Sequence, residues 1–186
     1  MQNPNEAVKP QAKYFTIPNL LSFLRICLIP VIIWLYLDKE NNAWAGIVLI
    51  LSGITDVLDG YIARRFNMTS DFGKVLDPVA DKLTQAAMLF GLSIRFPLML
   101  IPFILLVARD VYMGISGLLV IRKTQVVMSA EWHGKAATSL LYATMIVHIF
   151  FPNISSTLSL ILIVASTVMI AITFILYIVR NTKALK

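Results

Sequence analysis

The chain has a single cysteine, Cys27, set in an apolar run, which excludes a disulfide framework and a cysteine-based metal cluster and leaves the thiol as a packed side chain. Charge is equally scarce. Only 14% of the 186 residues are charged against 58% hydrophobic, and the mean hydropathy of +0.79 excludes an ordinary soluble domain. The net charge of +6 does not point to nucleic acid. Its basic residues are scattered among hydrophobic spans instead of collecting on a polar face with stacking aromatics, so anionic lipid headgroups are the expected partner. The opening MQNPNEAVKPQAKYF lacks the charged-then-apolar layout and small-residue cleavage site of a signal peptide, so the first apolar run is expected to remain in the mature protein. There is no internal repeat or low-complexity tract, and no stretch is left over for a soluble domain.

What is there is a series of apolar segments. The reading is all-α: one integral membrane domain over 1–186, an interfacial lead-in over 1–19, and six transmembrane helices at about 20–37, 43–66, 74–96, 98–121, 134–151 and 156–179. Pro97 is expected to stop the third helix. Arg25 lies inside the first span, where it either snorkels to the interface or faces an internal cavity. Lys39 and Arg95 fall at one side of the membrane, whereas Arg64, Arg65, Lys74, Arg122, Lys123, Lys135 and Arg180 gather at the other, which the positive-inside rule makes cytoplasmic together with both termini.

Four carboxylates on helices, Asp56, Asp59, Asp77 and Asp81, interrupt this apolar pattern in DVLDGYIARRFNMTSDFGKVLDPVAD, with Asp71 in the turn between them. An ionised carboxylate in hydrocarbon costs on the order of 3 kcal/mol, so four together call for a compensating cation. Asp56 and Asp59, three apart on the second helix, share a face, and Gly60 leaves room beside them. Gly73, Asp77 and Asp81 recur every four residues on the third, giving a bare backbone position followed by two carboxylates in the first two turns. Arg64, with small Ala63 beside it, offers a planar fork for phosphate oxygens. Pro78 leaves the start of this helix open. Oxygen-only ligands favour Mg²⁺ or Mn²⁺ shared with substrate phosphates. A shallow site at the cytoplasmic interface lets a lipid meet a soluble reactant, and the implied chemistry is phosphoryl transfer on a lipid diphosphate.

These residues carry a resemblance. Asp56-x2-Asp59-Gly60-x2-Ala63-Arg64-x8-Gly73-x3-Asp77-x3-Asp81 resembles the complete signature of the CDP-alcohol phosphatidyltransferases, with eight fixed positions over 26 residues. IPNLLSFLRICLIP and DFGKVLDPVADK are similar to its bacterial phosphatidylglycerophosphate synthase branch. The resemblance implies that an acceptor hydroxyl attacks the lipid-side phosphate of CDP-diacylglycerol and CMP leaves. It further implies that Asp56, Asp59, Asp77 and Asp81 hold two Mg²⁺ or Mn²⁺ ions, and that Asp81 acts as general base. Asp59, Gly60, Ala63, Arg64 and Gly73 would accommodate the nucleotide and its diphosphate, and the chain would form a homodimer.

The acceptor is decided elsewhere. Glycerol 3-phosphate is the expected acceptor, with phosphatidylglycerol the alternative; the former needs a cation pocket, for which Arg109 in the fourth span and Lys135 at the start of the fifth are the candidates. Neighbouring helical residues point about 100° apart, so a partner other than Asp110 is expected for Arg109. Lys135 also fits a snorkelling interfacial lysine, and His133 a surface histidine. Leu119 and Ala137 stand where the phosphatidylglycerophosphate synthases often carry further basic residues, while Arg109-Asp110-Val111 and Lys135-x2-Thr138 resemble the cardiolipin synthases of the same family, whose acceptor is phosphatidylglycerol. A cation or proton transporter is the reading from another class, against which the paired glycines and Arg64 weigh.

Overall fold

Apolar helices in a bilayer gain no hydrophobic drive from meeting one another, so close packing and buried polar bonds must hold them together. The computed structural model, which describes residues 17–38, 42–65, 73–124 and 132–185, with side chains left out at 17, 18, 56–65, 74, 75 and 124, follows that rule. Among the described residues the chain is all-α. Its helices are α1 (Ile17–Leu37), α2 (Asn42–Arg65), α3 (Gly73–Arg95), α4 (Leu100–Thr124), α5 (Trp132–Phe150) and α6 (Ser156–Leu185). The lead-in expected over 1–19 lies mostly outside these residues.

Among the described residues three segments are long and apolar enough to cross a membrane: Asn19–Leu37, Pro97–Lys123 and Ser156–Leu185. In α2 the described side chains form a shorter apolar stretch, Asn42–Thr55. Pro97 ends α3 as expected: Phe96 before it is extended (φ −121°, ψ 83°), and a single 3₁₀ turn over Pro97–Met99 leads into α4. Pro78 does not delay α3, which starts at Gly73 and runs through it. α6 continues past Arg180 to Leu185, further than its apolar run, since Lys, Ala and Leu are good helix formers in water as well.

α1 packs against both acid-bearing helices, α2 and α3; α4 and α5 pack against α6, and α5 also touches α2 and α3. The core is formed by Ile32 and Tyr36 of α1, Leu89 and Leu92 of α3, Leu141 and Met145 of α5 and their neighbours. Large apolar side chains also cover the outside, among them Trp34, Trp44, Ile104 and Leu118, as lipid contact requires. Cys27 belongs to that outer surface, not to the packed interior expected of it.

Polar bonds tie the bundle at both poles. At one, Arg95 at the end of α3 donates to Asn42 Oδ1 at 2.6 Å and to the Leu37 carbonyl at 3.3 Å, with its guanidinium 4.5 Å from the centre of the Tyr36 ring. One planar cation thereby joins the end of α1, the start of α2 and the end of α3. Nearby, fully buried His148 of α5 bridges to α6. Its Nδ1 lies 2.8 Å from the Thr144 carbonyl, which only accepts, so Nδ1 carries the proton and Nε2 accepts from Ser159 Oγ at 2.9 Å. At the opposite pole Asn181 of α6 donates to Ser116 Oγ of α4 at 2.7 Å, and Arg180 stacks 4.9 Å from the Tyr177 ring centre. Gly134 lets the two helices approach there, because a Cβ would meet the Tyr177 hydroxyl and force it to shift.

Candidate active site

Asp77 and Asp81 fall in the second and third turns of α3, one helical turn apart on one face. α3 begins at Gly73, one residue before the expected start, so the pair sits one residue further from the helix end than expected. Each carboxylate is held from another helix. Ser22 Oγ of α1 donates to Asp77 Oδ1. Tyr142 of α5 donates its hydroxyl to Asp81 Oδ1 at 2.7 Å, and Gln85, one turn further along α3, donates Nε2 to Asp81 Oδ2 at 3.2 Å. α1, α3 and α5 thus converge on the two carboxylates.

α1 contributes more than Ser22. Asn19, Ser22 and Arg25, each three residues apart, are all buried at 5%, 0% and 3% exposure. A polar stripe at helical spacing on an otherwise apolar helix therefore faces inward. Arg25 points to the interior instead of snorkelling to the interface. In the sequence only Arg25 stood out; Asn19 and Ser22 were legible as the rest of its stripe, and Gln85 as the i+4 neighbour of Asp81. Nothing in the sequence singled out Tyr142.

Of the remaining motif residues, Gly73 is buried at the first position of α3. Asp56, Asp59, Gly60, Ala63 and Arg64 lie on the second half of helical α2, but their side chains lie outside the described residues. Among the described residues no three His, Cys, Asp or Glu side chains come together at metal-binding distance. The donor set nonetheless suits a hard cation. It consists of carboxylate oxygens, and Asp77 Oδ2 accepts no hydrogen bond among the described residues.

The acceptor candidates are separate. Arg109 is buried at 6% exposure in α4, and its Nε lies 3.0 Å from Asp110 Oδ1. The expectation of a partner other than Asp110 is thereby overturned. The Cα directions diverge as helix geometry demands, but the long Arg109 side chain turns back to its neighbour. Asp110 Oδ2 lies 3.5 Å from Lys82 Nζ, so a charge chain links α3, beside Asp81, to α4. Lys135 is exposed in the first turn of α5. Among the described residues no contact joins it to Arg109. His133 is not a surface residue: it is buried, with its ring 5.2 Å from that of Tyr177.

Similarity to known proteins matches this arrangement. Residues 15–181 match the family model described as CDP-alcohol phosphatidyltransferase. The chain is 39% identical over 137 residues to the cardiolipin synthase (CMP-forming) of Streptomyces coelicolor, covering 70% of this chain and 64% of that relative. It is 42% identical over 96 residues to the CDP-diacylglycerol–glycerol-3-phosphate 3-phosphatidyltransferase of Rickettsia bellii, covering 50% of this chain and 53% of the relative. A cardiolipin synthase (CMP-forming)/mitochondrial hydrolase fusion protein of Schizosaccharomyces pombe is 41% identical over 97 residues, 52% of this chain and 16% of the fusion. The match thus spans less than two thirds of the length of these relatives. With the eight-position acidic signature complete and the match running from the start of α1 into the end of α6, the chain belongs to the CDP-alcohol phosphatidyltransferase family.

Proposed function

We propose that the chain transfers the phosphatidyl group of CDP-diacylglycerol to an alcohol acceptor and releases CMP. The observation that carries this reading is the pair Asp77 and Asp81, oriented by donors from α1, α3 and α5 inside a chain that belongs to the family. The acceptor oxygen attacks the lipid-side phosphorus, the bond from that phosphorus to the bridging oxygen breaks, CMP departs, and the hydroxyl proton passes to Asp81. Asp56, Asp59, Asp77 and Asp81 are the residues that would hold two Mg²⁺ or Mn²⁺ ions. Those ions, when bound, supply neutralisation of the diphosphate and of the departing CMP. Gly60, Ala63 and Gly73 leave space for the nucleotide, and Arg64 takes a diphosphate oxygen pair. A six-span bundle with this pole and both termini cytoplasmic, assembled as a homodimer, completes the reading.

Two acceptors fit. Glycerol 3-phosphate is dianionic and soluble, so its site must supply several cations. Ala137, where such a cation would stand, is small and fully buried, and Arg109 already shares its charge with Asp110. Phosphatidylglycerol carries one phosphodiester charge and is held by the bilayer, so Arg109 and Lys135 suffice. Lys135-x2-Thr138 and the longer match to a cardiolipin synthase favour phosphatidylglycerol as well. Glycerol 3-phosphate is the second reading. The test is purified protein in mixed micelles with CDP-diacylglycerol, Mn²⁺ or Mg²⁺, and each acceptor in turn, following CMP and the lipid product. Cardiolipin supports the first reading and phosphatidylglycerophosphate the second. Absence of CMP with every acceptor, together with ion flux in liposomes, would replace both with a transporter.

A further inference from the structure

Tyr142 is a polar group that the acidic signature does not contain, yet it reaches the carboxylate on which the proposed chemistry turns. Its hydroxyl lies 2.7 Å from Asp81 Oδ1, and the Gln85 amide lies 3.2 Å from Oδ2. A carboxylate with one donor on each oxygen cannot rotate about its own axis without losing both bonds. The donors are themselves fixed. Gln85 is 2% exposed, and Leu141 beside Tyr142 and Met145 one turn on are fully buried in the core.

Tyr142 also shares a face of α5 with Thr138 and Lys135, four and seven residues earlier. At about 1.5 Å per residue it stands ~10 Å from Lys135 along the axis, too far to touch a phosphate held there. A bundle tyrosine needs a hydrogen-bond partner in any case. What distinguishes this one is the partner it has.

We propose that Tyr142, assisted by Gln85, is a positioning residue that orients Asp81 toward the acceptor hydroxyl. This rests on the reading of Asp81 as general base. Losing one hydrogen bond to the carboxylate while keeping the aromatic ring leaves substrate binding intact and misaligns proton transfer. Tyr142→Phe therefore lowers kcat about tenfold, equivalent to ~1.4 kcal/mol of barrier, with KM for CDP-diacylglycerol and for the acceptor within about twofold of the parent.

The experiment measures CMP release by the full chain in mixed micelles with Mn²⁺, alongside thermal unfolding in the same micelles. Gln85→Glu, which places a like charge beside Asp81, lowers kcat by more than Tyr142→Phe does. Gln85→Asn, which keeps the amide on a shorter arm, falls between the parent and Gln85→Glu. An active parent whose Tyr142→Phe form keeps its kcat, or loses kcat only in step with raised KM and a lower melting temperature, overturns the positioning role alone. A parent that releases no CMP with any acceptor overturns the transferase reading, and the role with it.

Discussion

Ser22 on α1 donates its hydroxyl to Asp77 on α3, fifty-five residues away in sequence. The bond makes the first span, which bears no acidic residue in its first turn, part of the acidic site. Removing it with Ser22→Ala takes away the donor that orients Asp77. The expected loss is on the order of 1.5 kcal/mol, or about tenfold in kcat/KM, with a small fall in melting temperature. CMP release with varied Mn²⁺ checks it: a rise in the Mn²⁺ requirement is expected, and an unchanged one shows that Asp77 keeps its orientation without Ser22.

Asp81→Asn removes the base and a candidate ligand together while preserving shape. Transfer is expected to vanish while the protein stays folded. Substantial residual CMP release from the variant places the base on another residue.

Arg109→Ala strips α4 of the cation paired with Asp110 and leaves Asp110 on Lys82 alone. The expected result is a KM for the acceptor raised about tenfold, with the CDP-diacylglycerol KM nearly unchanged. The opposite split, read from saturation curves for each substrate, moves Arg109 to the nucleotide side.

Arg95→Ala breaks the joint among α1, α2 and α3 at the other pole. The loss of two hydrogen bonds and a ring stack is worth roughly 1–3 kcal/mol, visible as a lower melting temperature. Arg95→Lys does not restore it, since an ammonium cannot donate in two directions within one plane and stack as well. Turnover per folded molecule stays at the parent level, because Arg95 lies at the end of α3 opposite Asp77.

Gly134→Ala drives a methyl group into the Tyr177 hydroxyl. Overpacking costs about 1–3 kcal/mol, so the melting temperature drops. Tyr177→Phe in the same chain restores part of it, since the first atom met is the hydroxyl. Equal melting temperatures for the single and double variants would mean that α5 and α6 simply move apart.

The apolar segments were legible because membrane composition acts over whole helices, so Pro97 could be read as a stop and the helices placed to within three residues, except that α6 runs six residues past its expected end. The acidic motif was legible because helical spacing alone puts Asp77 and Asp81 on one face. Tyr142 was not, since which tyrosine meets Asp81 depends on how α5 rotates against α3, and no local pattern records that. Arg109 was misjudged for a related reason: backbone direction limits where a side chain starts, whereas the flexible three-methylene stem below Nε decides where it ends. His133 looked interfacial because its neighbours in sequence are polar, but Tyr177 of α6 covers it.

The length of α6 couples the protein to the thickness of a bilayer. Thirty residues at ~1.5 Å each give a rod of ~45 Å, about half as long again as a ~30 Å hydrocarbon layer. Its last two turns, with Arg180 stacked on Tyr177, form a polar collar at the pole where α3 begins. A thicker sterol-like or long-chain membrane draws that collar toward the headgroups, and a thinner one lifts it away. The height of Asp77 and Asp81 relative to the headgroups then becomes a property of the membrane as much as of the protein.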